Sequence, residues 1–443
     1  MPGPPVVPVR GDEALPAKVD VVVIGGGIIG ASTTLELTER GHSVALCEKG
    51  EIAHEQSSRN WGWVRLTQRD PREAPLMAQS LRIWADLDKR TGRDVGYTRA
   101  GIAFALPTEK AVAGAEGWLD SVRELQVDAR VLTAGEFGDL FPGGRLALKG
   151  ALYSPTDGRA EPQRATSAIA ETAREKGAAL LTRCAVRGLE LKAGAVCGVV
   201  TERGPIACDA VVLAGGAWSS LFAGSLGLRL PQLKVLNSIL RTEPLPDGPG
   251  PALWADGFAF RGRADGGYTV APGHGLVVDV VPDSFRFFGD FVPALTHTWR
   301  SLSLRFGDRF FEEAATPRRW ALDKESPFER CRILDPKPKA SLATAALARL
   351  AKSFPAFEKA KVAQVWAGLI DSTPDIIPVI DKVAAVPGFH IATGFSGHGF
   401  GIGPAAGRLM ADIVTGRAPI VDPTPLRFSR FGDGSKIEPM SGL

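Results

Sequence analysis

Gly25-x-Gly27-x-x-Gly30, with a carboxylate at Glu48 eighteen residues after the last glycine, is the spacing in this sequence with the clearest chemistry. The first glycine permits a tight turn, the second lets the backbone approach a pyrophosphate, and the third lets a helix pack close to a strand. Glu48 would accept hydrogen bonds from a ribose 2′-hydroxyl, which disfavours a 2′-phosphate. The pattern predicts a dinucleotide site and does not by itself choose between FAD and NAD. A second concentration follows at 57–72, SSRNWGWVRLTQRDPR, with four arginines and two tryptophans in sixteen residues. Guanidinium and indole groups crowded into one loop imply an anionic or planar ligand against them.

These groups need a scaffold. Residues 21–24 are a continuous apolar, β-branched run, as in a strand buried on both faces of a parallel sheet. Residues 28–40 read as a helix closed by Gly41, and 43–47 as a second strand ending on Glu48. The helix N-terminus would offer unpaired N–H groups and a positive dipole end to phosphates. Further on come a helix at about 162–176 and β-rich segments up to 211–214. Near the C-terminus are a short strand at 390–392, a glycine-rich loop at 394–403 and a helix at about 404–415. A nucleotide domain assembled from three separated pieces of chain is expected.

Composition narrows the function classes. A chain of 443 residues suggests two domains. Lys+Arg 52 against Asp+Glu 49 gives no basic field, so no nucleic-acid partner is expected. The five cysteines (Cys47, Cys184, Cys197, Cys208, Cys331) show no C-x-x-C spacing, which points to neither disulfides nor zinc but to a reduced, cytoplasmic setting. No H-x-x-x-H spacing suggests a metal. Residues 1–18 carry proline and charge where a signal peptide needs an apolar run, and read as a loose arm. No stretch approaches the roughly 20 apolar residues of a membrane span.

VVVIGGGIIG with Glu48, DGRAEP, DAVVLAGGAWS, TPDIIPVI and GFSGHGFGIGPAAGRLMADI together resemble the D-amino-acid oxidase superfamily of FAD-dependent amine oxidoreductases, in the branch with glycine oxidase and monomeric sarcosine oxidase. The resemblance implies a mixed α/β fold: a glutathione-reductase-like, Rossmann FAD-binding domain, and a second domain whose antiparallel sheet covers the flavin. It places the FAD domain at 1–95, 155–234 and 359–443, the last with the C-terminal tail, and the substrate domain at 96–154 and 235–358. The cofactor would be FAD. Gly25, Gly27, Ile28, Ile29 and Gly30 would line the pyrophosphate, and Glu48, with Lys49 beside it, the adenosine ribose. Ser57 and Ser58 would lie near the ribityl chain and pyrophosphate, Val186 at the adenine, and Ala214, Gly215 and Trp218 along the dinucleotide. Gly397, His398, Gly399, Phe400 and Gly401 would run past the pyrimidine edge of the flavin.

In that family the loop after the ribose-binding acid crosses the flavin, and an arginine in it holds the substrate carboxylate. The match brings Arg65 to that place, while Arg59, Arg69 and Arg72 read as surface or FAD-phosphate residues. Trp61 and Trp63, two residues apart in extended chain, point the same way and form either a pocket wall or core filling. His398 either packs beside the flavin or transfers protons, and His274, Arg261 and Arg263 are unaligned groups that could assist. The sequence departs from the family pattern in three places, the first being Gly401, which follows G-H-G-F where sarcosine oxidase has a lysine. Ile370 follows W-A-G-L where glycine oxidase has an arginine, and no lysine occurs between Lys234 and Lys324, where sarcosine oxidases place one over the ring. Arg65 is left as the single matched anchor.

The reading is an enzyme that oxidises the C–N bond of an amino acid, an N-substituted amino acid or a related amine. Hydride passes to flavin N5, the imine product hydrolyses, and O2 or another acceptor takes the electrons. The partners are thus small molecules, with homo-oligomerisation open. Two other readings remain: a flavin-binding subunit of a multi-component amine dehydrogenase, and a tRNA-modifying flavoprotein.

Overall fold

The computed structural model describes residues 3–273, 276–298 and 302–439. Its organising element is a six-stranded sheet in the order Val379–Lys382, Phe389–Thr393, Ala210–Leu213, Val21–Ile24, Val44–Cys47, Ala179–Leu181. All neighbours pair in parallel except the first two strands, which are antiparallel. Val21, Val22 and Val23 are buried, as a β-branched run covered on both faces should be. The sheet draws on three stretches of chain far apart in sequence.

The helix Ile28–Glu39 follows the first strand and is buried along most of its length. It lies against the helix Gly399–Thr415, with Gly403 over Ile28 and Gly407 over Ser32. This second helix begins five residues before the expected 404. Pro404 sits inside it, and the nearby Gly401 carbonyl accepts hydrogen bonds from Ser80 Oγ at 2.7 Å and Trp84 Nε1 at 2.8 Å. Those two groups belong to the helix Ala74–Thr91, so the interruption that proline makes in the backbone ladder is accompanied by bonds from a neighbouring element.

A ten-stranded sheet forms the second layer, in the order Leu302–Arg305, Leu276–Asp279, Leu233–Thr242, Tyr268–Ala271, Phe258–Gly262, Ala252–Ala255, Ile102–Leu106, Gly150–Ser154, Arg130–Thr133. Its tenth strand, Val362–Ser372, pairs antiparallel with Leu233–Thr242. Residues 362–372, expected within the third FAD-domain piece, therefore belong to this sheet. It is mainly antiparallel, with parallel pairing between Ala252–Ala255 and Ile102–Leu106 and between Leu276–Asp279 and Leu302–Arg305. The helix Ala340–Ser353 packs with Phe141, Phe258, Phe260, Phe354 and Phe357 in a core of its own.

The N-terminal arm is not loose. Val7 N–H donates to Gln163 O at 2.9 Å, Ser167 Oγ donates to Val7 O at 2.7 Å, and Asp12 N–H donates to Leu180 O at 2.6 Å. An extended, proline-rich strand has no internal hydrogen bonds, so its backbone groups are free to pair with the elements it crosses. Among the described residues no helix is long and apolar enough to cross a membrane.

Candidate active site

Between the two sheets lies a cavity of about 690 Å³. At one end stand the glycine turn and the start of the helix Ile28–Glu39. Gly25 has a φ of +110°, and a side chain there would strike the Ala214 carbonyl; a methyl at Gly30 would overlap the Gly25 carbonyl oxygen. Gly25, Gly27, Ile28 and Ile29 line the cavity, while Gly30 sits behind them as the close-packing position. Glu48 Oε2 accepts from Gly26 N–H and Oε1 from Gly50 N–H, both at 2.7 Å. Burial raises this carboxyl, opposed by Lys49 and by those two N–H groups. Each oxygen keeps a second lone pair for a diol.

Val186, Ala214, Gly215 and Trp218 continue the wall. Lys49 is on it too, but its ammonium is spent within the protein, on Glu55 Oε1 at 2.7 Å and the carbonyls of Cys331 and Arg332, and it lies 4.7 Å from the Trp218 ring centroid. The two serines part company. Ser57 Oγ accepts the Ile28 N–H at 2.9 Å, at the helix start, whereas Ser58 does not reach the cavity: it is buried and donates to Glu55 O at 3.3 Å. A helical turn at Gln56–Arg59 separates the faces of the two residues.

The arginine-tryptophan loop lies along the same cavity. Trp61 and Trp63 meet edge to face, 5.4 Å between centroids, and Phe104 and Trp254 extend this wall. Arg65 lines the cavity, donates to Thr67 O and lies 5.2 Å from the Phe104 ring centroid, with no ion pair among the described residues. Burial, with Arg69 adding to it, pushes its guanidinium down to about 9. The other arginines are committed to acids. Arg59 and Arg69, expected at the surface or on FAD phosphates, are buried. Arg59 pairs with Asp335 at 2.6 Å, Arg69 approaches Glu73 at 3.7 Å, and the half-buried Arg72 pairs with Asp70 at 2.7 Å. Arg261 is buried against Glu161 at 2.7 Å and Arg263 pairs with Asp265 at 3.1 Å, so neither is available as a second anchor. His274 lies outside the described residues.

Gly397, His398, Gly399, Phe400 and Gly401 line the cavity, and the helix they open points its N-terminus at it. His398 Nδ1 is 2.8 Å from Glu73 Oε1. Burial, then Arg69, pushes this imidazole down to about 4. The ring is neutral at pH 7, which argues against a proton store. Since the unfolded chain takes the proton near the ordinary 6.5 and the folded one only near 4, this stability is intact above 6.5. It is lost as pH falls to 4, amounting to about 3 kcal/mol. Denaturant melts at pH 7 and pH 4.5 should show the loss, and His398→Gln should flatten it.

Residues 20–413 match the family model of FAD-dependent oxidoreductases, DAO. The chain belongs to the DAO family of FAD-dependent oxidoreductases. Among DAO-family relatives, glycine oxidase of Geobacillus kaustophilus strain HTA426 is 26% identical over 425 residues, covering 93% of this chain and 97% of that protein. Sarcosine oxidase subunit beta of an Arthrobacter species is 24% identical, covering 95% and 92%. The solved L-amino acid deaminase from Proteus myxofaciens, in complex with anthranilate, is 35% identical with a TM-score of 0.94, covering 97% of each chain.

The cofactor of the DAO family is FAD, and this cavity fits it. It runs from a glycine turn that no side chain could share, past a helix N-terminus and a half-buried acid, to an aromatic wall. Sequence reasoning missed Glu73, Phe104, Trp254 and Asp157. The Asp157 carboxylate accepts the N–H groups of Leu66 and Thr67 at 2.7 and 3.1 Å and so fixes the chain beside Arg65. The Arg69-x-x-x-Glu73 spacing was a visible signal for one of them.

Proposed function

We propose that this DAO-family protein oxidises the C–N bond of an α-amino acid with an apolar side chain, and that Arg65 holds the substrate carboxylate. The observation that carries the reading is Arg65 itself, a buried guanidinium on the cavity wall with no acid paired to it. A planar fork of this kind fits a carboxylate bidentately, and desolvation strengthens the pair. The aromatic surface of Trp61, Trp63, Phe104 and Trp254 favours an apolar substituent and helps exclude water. The amino-acid activity named for the Proteus deaminase and for glycine oxidase supports the same substrate class.

FAD, when bound, supplies the two-electron acceptor for the hydride from the substrate α-carbon. The protein supplies orientation: Arg65 fixes one end of the substrate, so the amine-bearing carbon faces the ring. An ammonium entering this buried, arginine-flanked site loses its proton more readily than in water, until the carboxylate offsets the charge. The neutral His398 adds no positive charge of its own.

Anaerobic mixing with a panel of L- and D-amino acids and their N-methyl derivatives should bleach the flavin absorbance, fastest with apolar side chains. A panel with no bleaching would remove the reading. Readmitting O2, or instead a dye acceptor, identifies which one reoxidises the cofactor.

A further inference from the structure

Glu73 is the N-cap of the helix Ala74–Thr91, and His398 is the N-cap of the helix Gly399–Thr415. The second helix start lines the cavity beside Arg65 and Arg69, and the first lies behind it, joined to it by the approach of Glu73 to His398, so that two positive dipole ends come together near these arginines. Glu73 is wholly buried, and neither of its oxygens has a hydrogen-bond partner apart from the close approach of His398. Leaving a carboxylate so nearly unpaired is costly. Burial opposes its ionisation, while the guanidinium charges of Arg69 and Arg65 favour it. The charged groups facing this pair are Arg69 and Arg65, which in turn face Asp157.

We propose that Glu73 is a positioning residue: its carboxylate holds His398 as the neutral tautomer with the proton on Nδ1, and its charge offsets part of the field that Arg65 presents to an anionic ligand. His398 Nδ1 lies 2.8 Å from Glu73 Oε1 without the alignment of a hydrogen bond, and neither atom has another hydrogen-bond partner. Since a carboxylate can only accept, a proton on Nδ1 satisfies both atoms after a small reorientation of the ring and leaves Nε2 as the acceptor. The second half follows from Coulomb's law in a dry site, where a negative charge beside Arg65 weakens the pull of that arginine on any carboxylate.

The first half needs no ligand. Nitrogen-15 NMR of histidine-labelled, FAD-loaded protein should show His398 as the Nδ1–H tautomer, unchanged from pH 6 to 8. An Nε2–H tautomer, or titration in that range, overturns the assignment. Glu73→Leu should move the proton to Nε2, whereas an unchanged tautomer means that Glu73 does not set it. If that variant does not fold, the wild-type spectrum still decides. The second half rests on the reading of Arg65 given above, and benzoate is its probe. Glu73→Gln should tighten benzoate binding by about tenfold, and unchanged affinity overturns the electrostatic role. Wild-type protein that does not bind benzoate would instead refute the role of Arg65, with the tautomer result standing apart.

Discussion

Arg65→Ala should raise the KM for an amino-acid substrate by about 2–5 kcal/mol, on the order of 30-fold to several thousand-fold, while the protein keeps its flavin. The size follows from what remains after truncation. The substrate carboxylate would still be carried into a site walled by Trp61, Trp63 and Phe104, and no other described arginine there lacks an acid. Loss of one partner from a buried charge pair leaves the other uncompensated, which is why the cost exceeds that of a surface pair. Arg65→Lys should recover only part of it, since an ammonium cannot reproduce the planar fork. Steady-state kinetics with a parallel measurement of bound flavin decide the matter. If flavin content falls and KM does not move, Arg65 serves the cofactor.

Gly30→Ala should abolish FAD binding. The added methyl would overlap the carbonyl oxygen of Gly25, which itself holds a φ of +110° against the Ala214 backbone. Neither side can yield cheaply, because both are main chain, and relief requires the helix Ile28–Glu39 to move off the strand Val21–Ile24. That shift would carry away the N–H groups meant for the pyrophosphate. Purified variant should be colourless and take up no added FAD. Yellow protein with normal flavin content would mean that the turn is more forgiving than its packing indicates.

The parallel sheet was legible because its signals are local. The VVVI run, the three glycines and Glu48 fall within thirty residues, and each obeys a spacing rule that needs no knowledge of the rest of the chain. The helix start at Gly399 was misread because Pro404 reads naturally as a first helical residue, whereas the Ile402 N–H donated to His398 O shows the helix already begun before it. The fate of the arginines was illegible for a related reason. Arg59 is buried because Asp335 and the Ala367 carbonyl come to it from the other layer. Glu73 looked like an ordinary acid beside a helix start, and what makes it unusual is His398, contributed by a distant glycine-rich loop.

The interleaving of the three chain stretches in the parallel sheet has a consequence for biosynthesis. Val21–Ile24 has Val44–Cys47 close behind it in the chain on one side, but its other neighbour, Ala210–Leu213, is synthesised much later, and Phe389–Thr393 beyond that later still. Loop closures of that length delay the pairing. The nascent chain therefore cannot capture its yellow prosthetic group piecemeal, and loading must wait until the strand Phe389–Thr393 has been made.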